Sequence, residues 1–538
     1  MLSPAPAQLA TRRAQVVVAV VFVASNFMSA LDSTIVNVAL PALARQFRVG
    51  TSQIDWLVIG YMLSLALWIP ASGWIGDRLG TKRTILIALA AFTVASAFCG
   101  LSTSLGELVL FRVLQGVGGG MLIPVGVTML MRAFPPAQRA KAARILVIPT
   151  VIGPASGPIL GGFLVDRFSW HWIFFVNVPV GLAVLIFGLL FLDEQREPNA
   201  GRFDVQGFVL AGVGLALVLF SFNEGPTDGW TSGTVLISGL VGLAALALMV
   251  HVELRKPEPM LKLDLLTERL FRACNLVSLF GFGSFVALLF VMSLFLQQAR
   301  GESALSTGLI TFLEAIGVAV SSQIVGRVYL RLGPRRLMAG GTAAMALVMV
   351  VMGLSNLSTS LWALRLLMFL AGCCMANMFI PLQTATYARI SSADTGRASA
   401  IFSAQRQAAA AIGVAVVATV LTSLLAGSGG LLSAPPTAQL AAFQKVFFVD
   451  AALSLVATFI SLTVRDADAS NTMRGASTAG IRREDALNRQ AEDAGQAEGQ
   501  RQARVVLASR DGIDRLARYA QRIPPGAPAT SPARHAAP

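Results

Sequence analysis

Five charged side chains interrupt stretches that are otherwise apolar: Asp32, Arg112, Glu314, Arg365 and Arg406. Asp32 lies in LDSTIVNVALP, residues 31–41, and is the only ionisable group in a run that begins at Val16. A charge in a hydrocarbon layer costs a few kcal/mol or more, so such residues are kept for a proton, an ion or a charged substrate. A low dielectric favours the neutral acid, and a neighbouring arginine favours the carboxylate. An acid balanced between the two loads and releases a proton as access to it changes. A local cap or kink near the helix end, with Asn37 and Pro41, is the competing reading for Asp32.

Glu314 shares a helix face with Thr307, Thr311 and Ser321, at spacings of 4, 3 and 7. That polar stripe suits a wet cavity and a substrate or a second proton. The competing role for Glu314 is as a partner of Arg406. Arg406 itself shares a face with Ser399, Ser403 and Gln407, a buried hydrogen-bonding pattern. Arg112 stands in LVLFRVLQGVGGG with Gln115 one turn on, at a depth from which it can approach Asp32. Arg365 lies nearer its helix end, where a long side chain can snorkel to the interface.

Glycine and proline mark close or moving contacts. IGPASGPILGG places Gly153, Pro154, Gly157, Pro158, Gly161 and Gly162 within ten residues, and small residues let helices approach closely. This set is expected to seal the outer half of the molecule. In GWIGDRLGTKR, residues 73–83, Gly73 permits a close contact, and Asp77 with Arg78, Lys82 and Arg83 is expected to latch the inner side.

These residues need elements to hold them. The chain is 55% hydrophobic and 13% charged, outside the range of soluble globular proteins. Apolar stretches of ~18–25 residues recur, each long enough to span a bilayer as a helix. Fourteen are expected: 16–40, 53–75, 84–102, 108–131, 144–165, 174–192, 205–222, 235–252, 273–297, 306–329, 337–354, 362–385, 400–425 and 443–464. The net charge of +14 is topological. With the N-terminus inside, only Arg45, Arg48, Arg167, Arg300 and Lys445 fall on outer loops, and the other Lys and Arg between residues 12 and 397, apart from Arg112 and Arg365 within spans, lie inside. This is the positive-inside pattern, with both termini cytoplasmic. It removes the nucleic-acid reading. The first span is too long for a cleaved signal segment and reads as an anchor. Cys99, Cys274, Cys373 and Cys374 all fall in spans, which leaves no disulfide framework and no metal spacing. No nucleophile–base set or phosphate loop is visible, so an enzyme is not expected, and no cofactor is called for.

An internal repeat organises the spans. GWIGDRLGTKR aligns without gaps on GRVYLRLGPRR, residues 326–336, at an offset of 253, and the same offset carries Arg112 onto Arg365. Two six-helix halves follow, at 16–192 and 273–464. Two inserted helices lie in 193–272, with a short terminus at 1–15 and a tail at 465–538. Parallel six-helix repeats around a central site are a secondary-transporter plan. The tail is polar, Arg- and Ala-rich, and is expected to be cytoplasmic and disordered.

These segments resemble the major facilitator superfamily, and within it the fourteen-spanner drug:proton antiporter branch. LDSTIVNVALP is similar to that branch's first-helix motif, GWIGDRLGTKR to the superfamily's loop motif, and LVLFRVLQGVGGG to the fourth-helix motif. IGPASGPILGG is similar to the antiporter motif, and WHWIFFVNVPVG, from Trp170, to the signature joining helices 5 and 6. The match covers almost all of the chain except the tail. His171 stands where the branch usually has Arg, and Leu330 replaces the acid in the second copy of the loop motif. Leu313 and Glu314 stand where Pro and a small residue are expected.

The resemblance implies an all-α membrane protein of the major facilitator fold, with fourteen transmembrane helices. It implies proton-coupled export of amphipathic, cation-leaning small molecules such as drugs from the bacterial cytoplasm. Asp32 would carry the proton, Arg112 would modulate it, and Glu314 with Arg406 would serve the substrate or a second proton. The expected partners are the substrate, protons and the lipid bilayer. A periplasmic adaptor and outer-membrane channel, which join some relatives, are a further partner class. A dedicated metabolite or siderophore exporter and a transport-inactive sensor are the alternatives.

Overall fold

In the computed structural model, residues 6–49, 51–135, 138–196, 203–256, 259–391, 393–426 and 434–473 are described. Residues 6–473 fall in one compact unit, and the described residues are helical with no strand. The first half contains α1 (Pro6–Phe47), α2 (Thr51–Ile54), α3 (Trp56–Leu79), α4 (Thr81–Leu101), α5 (Leu105–Ala133), α6 (Arg139–Arg167), α7 (Trp172–Phe175) and α8 (Asn177–Phe191). The inserted pair is α9 (Val205–Asp228) and α10 (Gly233–Glu253). The second half contains α11 (Arg269–Leu294), α12 (Ala304–Gly353), α13 (Leu361–Thr386), α14 (Thr395–Leu425) and α15 (Pro436–Leu462), followed by α16 (Ser470–Met473).

Among the described residues, twelve helices are long and apolar enough to cross a membrane. All fourteen expected segments fall on helix, but not one to one. The segments 306–329 and 337–354 lie on the two helices of α12, which meet at a kink where Gly333 leaves helical geometry. Gly333 has φ +75°, and Pro334 follows, a pair that turns the chain from one helix into the next. Segment 144–165 lies on α6, whose shorter apolar stretch runs over Ile152–Val165. Segment 174–192 runs over α7 and α8, which together form one apolar span, Trp172–Phe191, with Val176 between them in helical geometry. Pro179 sits in the first turn of α8, where its missing N–H would have no intrahelical partner anyway.

In the first half α1 packs on α6, and α5 lies between α3 and α4. In the second half α11 packs on α14 and α15, and α12 on α13 and α15. The halves meet through α3 with α14 and α6 with α12. The inserted pair lies on that first seam. Phe220, Phe208 and Phe203 stack against Trp56, Trp68 and Trp74 of α3, and Leu215 and Leu219 pack beside Ala404, Ala408 and Ala411 of α14.

The expected tail starts folded. Residues 466–469 form a turn of helix that leads into α16, and Thr472 is buried with its hydroxyl 2.6 Å from that of Tyr329. The remainder, 474–538, lies outside the described residues, as do residues 1–5 of the N-terminus.

Candidate functional site

Asp32 is fully buried on α1, and side chains of α5 and α8 converge on it. One carboxylate oxygen accepts from Arg112 Nη1 of α5 at 2.6 Å. The other accepts from the amides of Gln115 and Asn177, each at 2.9 Å. Charge-assisted bonds of this length are the strong ones, and the ionised carboxylate is the form that three donors fit. Asn177 is the first residue of α8, and its amide also donates to Ser96 of α4 at 3.1 Å.

Arg112 is 1% exposed and does not depend on Asp32 alone. It donates to Gln115 Oε1 at 2.7 Å and to the Leu57 carbonyl at 3.3 Å, and it lies over the Tyr61 ring at 4.2 Å. A proton arriving on Asp32 would therefore release a guanidinium that keeps other partners. Cys99 donates weakly to the same Gln115 oxygen at 3.9 Å. Sequence reasoning placed Arg112 near Asp32 but assigned no contact to Gln115 and no role to Asn177, although the quoted motifs contain both.

Glu314 is 3% exposed, and its Oε1 has no hydrogen-bond partner among the described residues. Arg406 is not its partner. The Arg406 guanidinium lies over Phe282 at 5.4 Å and Phe379 at 6.0 Å. Arg365, half-buried, covers the exposed Trp362 ring at 4.7 Å, as a snorkelling arginine does.

The small residues of α6 face α1. A Cβ on Gly153 would meet Ala30 at 2.7 Å, one on Gly161 would meet Ile35 at 3.0 Å, and one on Gly157 would overlap Thr34. Thr34 also donates to the Pro154 carbonyl at 3.3 Å. Gly162 faces open space, and the Pro158 side chain lies outside the described ones. The stripe thus seats the helix that carries Asp32.

At the opposite, arginine-rich end, Gly73 lies against the Gly396 carbonyl, where a Cβ would come within 2.6 Å. Asp77 pairs with Arg132 of α5 at 2.8 Å and lies against Gly396 in the first turn of α14. A carboxylate at a helix N-terminus is favourably placed against the helix dipole. The expected basic neighbours sit elsewhere: Arg83 is 3.6 Å from Glu194, and Arg78 is exposed. Ser399 donates to the Pro124 carbonyl at 2.8 Å, Arg139 donates to the Tyr387 carbonyl, and Gly326 packs on Arg144. These contacts close the bundle between its halves at this end.

The second copy of the loop motif lacks the acid of the first, yet both copies receive a carboxylate from just beyond the last helix of their own half. Glu194 accepts the backbone N–H groups of Lys82 (3.0 Å) and Arg83 (3.3 Å) beside Gly80, whose φ is +98°. Asp466 accepts the N–H of Arg335 at 3.0 Å beside Gly333. His171, where the branch usually has arginine, stacks on Trp170 at 3.7 Å, and burial pushes its pKa down.

One acid in a span was not singled out from the sequence. Asp450 of α15 is fully buried, and neither of its carboxylate oxygens has a hydrogen-bond partner among the described residues.

Known proteins share this architecture. At 34% identity, the chain is similar to the putative multidrug resistance protein MdtD of Serratia proteamaculans (strain 568), over 74% of this chain and 83% of that one. It is 32% identical to the multidrug resistance protein B homolog of Mycobacterium tuberculosis (strain ATCC 25618 / H37Rv), over 75% of each. Among solved structures, the human organic anion transporter MFSD10 (TETRAN) superposes with a TM-score of 0.59 at 17% identity, covering 85% of this chain and 100% of that one. The proton:xylose symporter XylE gives 0.58 at 13% identity, covering 83% and 94%. These two likenesses concern the fold alone. The profile of the Major Facilitator Superfamily matches residues 22–414 and, in a second overlapping match, 273–492. With twelve helices long and apolar enough to cross a membrane among the described residues, and matches of this extent, the chain is a multi-pass membrane protein that belongs to the Major Facilitator Superfamily.

Proposed function

We propose that this chain exports amphipathic small molecules, drugs among them, in exchange for protons. The observation that carries the reading is the Asp32–Arg112 pair, a carboxylate sealed from both water and lipid with a cation that can release it. In the described state three donors hold the Asp32 carboxyl group and the halves are in contact at the arginine-rich end. The positive-inside pattern assigns that end to the cytoplasm, so this reads as a state closed on the inner side. Protonation of Asp32 would break its bond to Arg112, loosen α1 from α5 and let the halves rock. Glu314 lies on α12 without a counter-charge, which suits a cationic substrate or a further proton. The setting is the bacterial cytoplasmic membrane with both termini inside. A periplasmic adaptor and outer-membrane channel are a partner class for the far side.

Relatives bearing multidrug-resistance names at 32–34% identity favour broad substrates over a single metabolite or siderophore. The intact site favours transport over a transport-inactive sensor. The test is uptake of a compound panel into inside-out vesicles, with and without an imposed proton gradient. Gradient-dependent accumulation of several amphipathic compounds is expected. Accumulation of none, or accumulation indifferent to the gradient, would contradict the proposal.

A further inference from the structure

We propose that Asp450 is a second proton-binding group, built into the second half at the position that the Asp32 knot occupies in the first. In the first half, the junction of α1, α4 and α8 holds Asp32, Ser96 and Asn177 in one hydrogen-bonded set. The repeat offset of 253 carries Ser96 onto Met349 of α12 and Asp32 onto Phe285 of α11, next to Ser284. Ser284 joins the corresponding junction of α11, α12 and α15. Its hydroxyl contacts the Met349 sulfur at 3.5 Å and the Asp450 carbonyl at 3.2 Å. Asn177 and Asp450 lie at similar depths, ~21 and ~18 Å from the arginine-rich ends of α8 and α15 at 1.5 Å per residue. The halves have exchanged polarity. The first carries its acid on its first helix and an amide on its last, and the second carries a hydroxyl on its first helix and an acid on its last.

The difference lies in the counter-charge. Arg365, the repeat equivalent of Arg112, covers Trp362 instead. Among the described residues Asp450 forms no ion pair with a group from the elements packed on α15. Ser284 of α11 bonds its backbone carbonyl, Met349 and Thr342 of α12 contact Ser284 and Ser454, and Phe295, from the turn after α11, packs on Phe443 and Phe447 of α15. On α14, Arg406 is taken by its two aromatic rings. A carboxyl with no cation beside it is neutral when water is excluded. Asp450 therefore holds a proton in the same state in which Asp32 has released one.

A polar lane leads from Asp450 towards the arginine-rich end. Ser454 and Thr458 follow it at steps of four on α15, and they bond the Thr342 carbonyl and hydroxyl, each at 2.9 Å. No hydrogen bond links Asp450 to Ser454 among the described residues, so the lane is interrupted at the acid in this state. When the arginine-rich end opens, the proton passes from a carboxyl oxygen to water in the lane and leaves the carboxylate behind.

The assignment deepens the proton-coupled reading, and infrared pH titration of the full chain in lipid nanodiscs tests it without any substrate. Spectra across about pH 5–9, a range buried carboxyls reach, should show a protonated-carboxyl C=O component that fades as pH rises. Asp450→Asn should remove about one carboxyl's intensity that Asp32→Asn leaves in place, and should do so equally in a Glu314→Gln background, where any Glu314 contribution is already absent. If Asp450→Asn does not fold, Asp450→Glu should shift the component's frequency and midpoint. A component untouched by either Asp450 variant overturns the proposal. So does an Asp450 component that stays constant with pH, since a merely packing acid would give that. Loss of gradient-driven transport in the vesicle assay with this titration intact would instead sink the exporter reading.

Discussion

A carboxylate with three donors and a guanidinium with four neighbours form an unequal pair. Asp32 keeps two amides if Arg112 leaves, and Arg112 keeps a side-chain amide oxygen, a backbone carbonyl and a ring if Asp32 is protonated. Breaking a buried pair from one side strands a charge and costs ~3–5 kcal/mol. Arg112→Leu should therefore lower thermal stability by that order, read by unfolding in detergent at neutral pH. Adding Asp32→Asn should recover most of the loss, and two losses that simply add would show that the residues are not coupled. Glu314→Gln should leave stability nearly unchanged and weaken transport of monovalent cations relative to neutral compounds, read as competition in the vesicle assay. The Asp32–Arg112 contact was legible because lone charges in apolar runs at matched depth seek each other. Asn177 was not, because an amide carries no comparable signal. Asp450 carried the same lone-acid signal as Asp32, within span 443–464, but was not among the five charges singled out.

Helices were legible as apolar lengths, and their joints were not. A length criterion cannot see what holds the turn at Gly333 between the two helices of α12, where the Asp466 carboxylate, from the far end of the half, meets the Arg335 N–H. A Cβ on Gly333 would come within 2.6 Å of that carboxylate, at a φ that L-residues resist. Gly333→Ala should accordingly destabilise by more than ~1 kcal/mol, measured by the thermal midpoint; an unchanged midpoint would remove the joint from the account. The α6 stripe separates by partner in the same way. Gly157→Leu should unseat α1 and abolish transport with reduced expression, whereas Gly162→Leu, facing open space, should be tolerated. Equal effects of the two, read by transport and size-exclusion profile, would mean that the stripe serves general membrane packing and not the seat of α1.

The two halves were legible from one repeated motif, and their relative state was not, because composition is the same whichever end is closed. The inserted pair stacks on α3 through three aromatic pairs and meets α14 through alanines, so it is expected to travel with the first half. Gly73 has no room for a side chain against α14. Gly73→Val should hold the arginine-rich end apart, seen as increased thiol labelling at cysteines introduced there, and unchanged labelling would argue against this contact as the gate. The central claim is that Asp32 ties these movements to protons. The most direct measurement compares Asp32→Asn with the parent chain in proteoliposomes, for one transported compound, under two conditions: downhill exchange, and accumulation driven by an imposed pH gradient. The account predicts that the variant keeps downhill exchange and loses gradient-driven accumulation. Accumulation by the variant that still follows the pH gradient would contradict it.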